Sequence, residues 1–206
     1  MKICGIILAG GQSRRMGGRE KSLMQLKDIA PIEWVAQRLG PQVETLAINA
    51  NGDPDRFNFL GLPVLPDTID GFVGPLAGVL SGMRWAAKEH DATHIVTAAA
   101  DTPFIPKELV ARLSKDVSPS KQISMAHSNG RIHPVAALWP CALADSLENF
   151  LTVEDQRKIL VFAERHGLSE TKFELSNGHT GHDPFFNINT PDDMVIAEEI
   201  ALGLLQ

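Results

Sequence analysis

Four cationic side chains, Arg14, Arg15, Arg19 and Lys21, crowd one short stretch beside Gly10, Gly11, Gly17 and Gly18. Glycine lets a backbone turn sharply and bring its N–H groups against a ligand. Arginine holds two phosphate oxygens in a planar fork, and lysine acts as a point charge. Much farther along, Asp101 follows an apolar run and precedes Thr102-Pro103. A carboxylate in that position can hold Mg2+, a hard ion that takes oxygen ligands and keeps phosphates and water as the others. The competing use of Asp101 is as a helix N-cap. Asn49 and Asp67 end two further apolar stretches. Asn offers a donor and acceptors, and Asp accepts from hydroxyl or ring N–H groups, although both also suit simple turns. This inventory fits a site for a triphosphate tail and a divalent ion.

The elements that must position these groups are legible as alternating apolar and helical patterns. Ile3 to Leu8 reads as a buried strand that feeds the glycine-rich loop directly. No Gly-Lys-Ser/Thr closes that loop, so it is not a Walker loop, and its glycines are misplaced for a dinucleotide fingerprint. Leu23 to Leu26 reads as a short extended piece. Pro31 to Leu39 reads as a helix with proline at its start. Val43–Ala50, Val64–Leu65 and His94–Ala99 read as strands, Leu76–Lys88 and Pro106–Leu113 as helices. Beyond a polar loop at 115–121, two extended runs flank Ser128-Asn129-Gly130 and predict an antiparallel hairpin. Helices are expected at 143–151 and 155–165, extended pieces at 172–175 and 184–189, and a closing helix from Pro191 with Thr190 as its cap. The pattern predicts an α/β layered fold with a mostly parallel sheet. Ligands of such sheets lie beyond the carboxyl ends of the strands, where all of these polar groups fall.

Length and composition narrow the possibilities. With 206 residues, 44% of them hydrophobic, the chain can bury one sizeable core and is expected to form one domain over 1–206. The formal charge is −6, but residues 1–21 carry five cations against Glu20, or +4, leaving −10 for the remainder. An acidic body with one cationic loop does not suit a nucleic-acid binder, which needs a broad basic face. It suits a small anion bound at one place. Cys4 and Cys141 are too few for a disulfide framework or a zinc site. No apolar run spans a bilayer and no signal-peptide pattern starts the chain, so a cytoplasmic protein is expected.

The loop resembles the signature of the nucleotidyltransferases: Leu8-Ala9-Gly10-Gly11, three residues, Arg15-Met16-Gly17-Gly18, two residues, Lys21. Taken with Asn49-Ala50-Asn51 and Gly74-Pro75-Leu76-Ala77-Gly78, the ordered set resembles the molybdenum cofactor guanylyltransferases over residues 3 to about 195. The resemblance implies a Rossmann-like three-layer fold with a mixed sheet. Its front half, about 1–115, would bind GTP, and its back half, about 116–206, molybdenum-loaded molybdopterin. It also implies roles for individual residues. Leu8, Ala9, Gly10, Gly11, Lys21, Asn49, Asp67, Gly78 and Asp101 would contact the nucleotide. Arg15, Lys21 and Asp101 would act in catalysis, with Asp101 the ligand of Mg2+. His133, followed by Pro134, and Asn187 and Asn189, in Asn-x-Asn-Thr-Pro, would face the second substrate. The two asparagines are two apart on an extended piece and so share a side. His179 and His182 tempt a zinc reading, but no third soft ligand accompanies them, and a surface loop over the second-substrate groove is expected there. A monomer is expected, with molybdoenzyme maturation proteins as candidate partners. The rival readings are a cytidylyltransferase for the same pterin, a sugar-phosphate nucleotidyltransferase, and a non-catalytic GTP-binding adaptor that delivers cofactor.

Overall fold

In the first strand, β1 (Ile3–Leu8), alternate side chains enter different cores, as the two-residue period of a strand requires. Cys4 and Ile6 pack with helix α2 (Pro75–His90), while Ile3 and Ile7 pack with helix α1 (Pro31–Leu39). The computed structural model describes residues 1–10, 23–69, 71, 74–115, 117, 122–175 and 181–204. Gly11, Arg14, Arg15, Arg19, Lys21 and His179 lie outside them.

The sheet has seven strands in the order β3-β2-β1-β4-β6-β5-β7. Its members are β2 (Thr45–Asn49), β3 (Val64–Leu65), β4 (His94–Ala99), β5 (Ile123–Ser128), β6 (Arg131–Pro140) and β7 (Leu168–Lys172), with β1 near the middle. Only β6 runs against its neighbours β4 and β5; every other pairing is parallel. Helix α1 and the short α3 (Leu109–Leu113) cover one face. Helices α2, α4 (Ala144–Thr152) and α5 (Ile159–Arg165) cover the other. The closing helix α6 (Pro191–Leu204) packs on a smaller cluster with Leu26, Trp34 and Phe104. The expected three-layer α/β arrangement with a mostly parallel sheet is therefore present.

Local chemistry explains the boundaries, including several that differ from expectation. Leu23–Leu26 is not a strand: Leu26 forms a lone bridge with Ile29 across a tight turn in which Lys27 takes a positive φ of 62°. Helix α3 starts at Leu109, after a run broken by Pro103 and Pro106. Helix α5 starts at Ile159, because Asp155 adopts a positive φ of 49° and turns the chain. The last strand is β7, earlier than 172–175. Gly167, at φ 89°, swings the chain out of α5, and β7 pairs in parallel with β5. Residues 184–189 form no strand; a turn occupies Pro184 and Phe185. The hairpin is present as expected, its turn made by Asn129 and Gly130 at φ 47° and 73°. Thr190 does cap α6. Its hydroxyl accepts from the Asp193 N–H at 3.1 Å, and the Asp193 carboxylate accepts from the Asn189 and Thr190 N–H groups at 2.8 Å.

Candidate active site

Strands β1 to β4 end level with one another. Leu8 pairs with Asn49 on one side and Ala99 on the other, and Asn49 pairs with Leu65. Gly10, Asn49, Asp67 and Asp101 thus leave the sheet at a single edge. At about 4.8 Å per strand spacing, the four ends lie within roughly 14 Å. The order of connection reverses between β1 and β4, so the switch point of the sheet falls between Gly10 and Asp101.

Asn49 is almost fully buried at the centre of this edge. Its Nδ2 donates to the Leu65 carbonyl at 3.1 Å and to Asp67 Oδ1 at 2.9 Å. Asn51 completes the arrangement. Its Nδ2 donates to Asp67 Oδ2 at 2.7 Å, and its Oδ1 accepts the Asp67 N–H at 2.9 Å. Two amides therefore fix the Asp67 carboxylate, and each of its oxygens keeps a lone pair for a ligand. Gly78, in the first turns of α2, closes over the same asparagine. A Cβ there would lie 2.1 Å from Asn49 Oδ1 and 2.7 Å from the Leu8 side chain. One turn on, a Cβ at Gly82 would lie 2.6 Å from Ile6, so the two glycines let α2 press onto β1 and β2. The N-terminus of α2 opens at the strand-end edge, with Gly74 at φ 74° and Pro75 behind it. Its exposed N–H groups and dipole favour an anion there.

Asp101 is half-buried in the turn after β4. Asp101 is not the cap of α3, whose N-cap position is Glu108. The Asp101 carbonyl accepts the Ile188 N–H at 2.9 Å, which ties this turn to the segment carrying Asn187 and Asn189. Arg15, Lys21 and Gly11 lie outside the described residues.

The groups expected for a second substrate meet in a separate cavity of about 270 Å³, lined by His133, Asn187 and Asn189 together with Ala99, Thr102 and Phe185. Both asparagines do face it, although their segment is not a strand. The cavity exists because β6 bulges. Ala137 pairs with Met125, but the next β5 residue, Ala126, pairs with His133, leaving Pro134, Val135 and Ala136 outside the ladder. Pro134 has no N–H to give to that ladder. Buried Thr97 on β4 stabilises the bulge: its hydroxyl donates to the Val135 carbonyl at 2.6 Å and accepts the Trp139 indole N–H at 3.0 Å.

A polar chain lies behind His133 and Phe185 on one side of the cavity. Asp183 Oδ1 accepts from the Ser128 hydroxyl at 2.6 Å and from the Phe185 N–H at 2.9 Å. Arg131 reaches Asp183 Oδ2 at 3.3 Å. Ser128 Oγ lies 2.7 Å from His133 Nε2, and the imidazole stacks on Phe185 with centroids 4.6 Å apart. Burial pushes the His133 pKa below its usual value despite the opposing pull of Asp183. Burial alone would raise the Asp183 pKa, but its hydrogen bonds from Ser128 and Phe185 and the nearby His133 and Arg131 hold it below the usual value. Asn187 Oδ1 is buried and bonds to no described residue.

Ser128, Asp183 and Phe185 were not singled out from sequence: Ser128 read as part of a hairpin turn and Phe185 as part of an extended piece. Asn51 was visible only as part of Asn-Ala-Asn. His182 does not cover this cavity. It faces a neighbouring one of about 460 Å³ with Arg38, Phe104 and Arg112, its ring edge-on to Phe104 with centroids 5.6 Å apart.

The comparisons with known proteins agree with this geometry. The profile of the MobA-like NTP transferase domain matches residues 5–168. A molybdenum cofactor guanylyltransferase of Mesorhizobium japonicum is 50% identical over 96% of this chain and 95% of its own length. One from Rhodopseudomonas palustris is 46% identical over 96% and 93%. Among solved structures, the molybdopterin-guanine dinucleotide biosynthesis protein A of Archaeoglobus fulgidus superposes with a TM-score of 0.73 at 29% identity, covering 98% of this chain and 99% of that one. With strand ends, glycine contacts and full-length likeness all in accord, the chain belongs to the molybdenum cofactor guanylyltransferase family of MobA-like nucleotidyltransferases.

Proposed function

We propose that the protein transfers GMP from GTP to the terminal phosphate of molybdopterin, releasing pyrophosphate and leaving the guanine dinucleotide form of the cofactor. The observation that carries this reading is the adjacency of two sites. A strand-end edge holding Asn49, Asp67 and Gly78 and a cavity holding His133, Asn187 and Asn189 meet at the Asp101 turn. A phosphate oxygen of the second substrate would displace pyrophosphate from the α-phosphorus of GTP. That oxygen is already anionic near neutral pH, so the reaction needs no protein base. Positioning and charge neutralisation would supply the acceleration.

Asp101 would hold Mg2+. Among the described residues no cluster of three or more His, Cys, Asp and Glu could form a protein cage for a metal. One carboxylate at a strand end fits an ion whose other ligands are phosphates and water. Bound there, the ion would neutralise charge on the nucleotide phosphates. Arg15 and Lys21, from the glycine-rich loop, would add cationic contacts to the same phosphates. The locked Asp67 carboxylate would accept from a ribose hydroxyl or a ring N–H, and the Leu8–Gly10 backbone would approach the nucleotide closely.

Pyrophosphate release from GTP, measured with Mg2+ and molybdopterin and compared with CTP, ATP and UTP, tests the reading. GTP should be preferred by at least about a hundredfold, because a wrong base would leave hydrogen-bonding groups of the site unpaired. Equal use of CTP would favour a cytidylyltransferase. GTP binding without pyrophosphate release would favour a delivery adaptor.

A further inference from the structure

Behind His133, which lines the bulged cavity, lies a directed hydrogen-bond chain, and its direction fixes a proton. The Asp183 carboxylate only accepts, so the single Ser128 hydroxyl hydrogen is committed to Asp183 Oδ1 at 2.6 Å. Ser128 Oγ, 2.7 Å from His133 Nε2, must then act toward the ring as an acceptor. The hydrogen is consequently on Nε2. In a neutral imidazole the other nitrogen, Nδ1, keeps its lone pair. No described residue bonds Nδ1. Ser128 is 1% exposed, so water does not compete for the chain. Stacking on Phe185 fixes the ring plane, and the Phe185 N–H is itself tied to Asp183 at 2.9 Å. One carboxylate thus sets both the orientation and the tautomer of His133. Asn187 Oδ1, buried and unbonded in the same cavity, adds a second unspent acceptor.

We propose that Ser128 and Asp183 are positioning residues that hold His133 as its Nε2–H tautomer, so that Nδ1 and Asn187 Oδ1 form a pair of acceptors for N–H donors on the second substrate. This rests on the reading of the cavity as the molybdopterin site, and it names the chemistry recognised there. A heterocycle presenting N–H groups is selected, and one presenting only acceptors is rejected. A buried acceptor left without a donor is costly, so this pair favours a donor-bearing ligand strongly.

The test combines a substrate-free spectrum with kinetics. Long-range 15N–1H correlation on histidine-labelled protein at neutral pH should show His133 protonated on Nε2 and bare at Nδ1. Ser128→Ala should convert it to a tautomer mixture and raise the KM for molybdopterin about tenfold, leaving the KM for GTP within about twofold. Ser128→Thr, which keeps the hydroxyl, should restore both. Asp183→Asn keeps an acceptor oxygen for Ser128 and should retain the tautomer, which separates the hydrogen-bond role from the charge. A wild-type His133 protonated on Nδ1, or an unchanged molybdopterin KM in Ser128→Ala, would overturn the proposal alone. A wild-type protein that turns over no molybdopterin would overturn the reading of the cavity as well.

Discussion

The strand-end edge and the bulged cavity are built by different means. The edge is made by register. Four parallel strands stop together, and backbone, small residues and two asparagines do the placing. The cavity is made by exception. One antiparallel strand leaves its ladder at Pro134, and side chains from β4, β5, β6 and the segment before α6 hold the gap open. Under the function proposed above, the edge would hold the nucleotide through backbone and amide-locked side chains. Under the same proposal, the cavity would supply the individual side-chain chemistry that recognises the second substrate. Substitutions should therefore separate the two regions kinetically.

The sharpest break is at the seam between them. Asp101→Ala should lower the pyrophosphate release rate by at least about a thousandfold. The Asp101 link to Ile188 survives the substitution, because it uses the backbone carbonyl. Full activity in that variant would remove the carboxylate from the mechanism. Next comes the edge alone. Gly78→Ala forces a Cβ to within 2.1 Å of Asn49 Oδ1. It should raise the GTP KM about tenfold and cost about 1–3 kcal/mol of stability, leaving the molybdopterin KM unchanged. A similar rise for both substrates would show that the two regions are not separable. A milder probe is Thr97→Val, which removes the donor to the Val135 carbonyl. Loss of about 1–3 kcal/mol in chemical denaturation is expected, with a raised molybdopterin KM and an unchanged GTP KM.

The smallest effect is on pH. His133 has a folded pKa below its unfolded value of 6.5, so the unfolded chain takes up a proton first as pH falls. Stability should decline below about pH 6.5 and level off once the folded His133 also titrates. Asp183, also depressed, should add a second decline, as pH falls below its unfolded value of 3.8 and through its folded pKa. Thermal melts from pH 7.5 to 5.5 on wild type and His133→Asn would isolate the first step; identical slopes would assign it to other histidines.

The same contrast governs what could be read from sequence. Strand β1, the Pro31 helix, the Asn129-Gly130 hairpin and the level ends at Asn49 and Asp67 announce themselves through local apolar runs and turn residues. Gly78 was marked in sequence only through the Gly74–Gly78 motif, and that a Cβ there would meet Asn49 Oδ1 is visible only in the fold. The bulge was not legible, since Pro134 forbids a ladder bond but does not say where the ladder resumes. The Ser128–Asp183 bond joins positions 55 apart along the chain, and no periodicity reports on such a pair. For β7 the residues 172–175 were the wrong choice. Its true span, Leu168–Lys172, is a partly exposed edge whose placement depends on Gly167 and on pairing with β5.

The hydrogen bond from the Ile188 N–H to the Asp101 carbonyl has a further consequence. The carboxylate and the asparagine-bearing wall share one anchor, so loosening the chain near position 188 should be felt at the Asp101 turn before any ligand arrives. A fragment cut off ahead of that anchor would retain the sheet edge but lose the brace behind its acid, and a half-enzyme with GTP chemistry of its own is not an outcome this architecture allows.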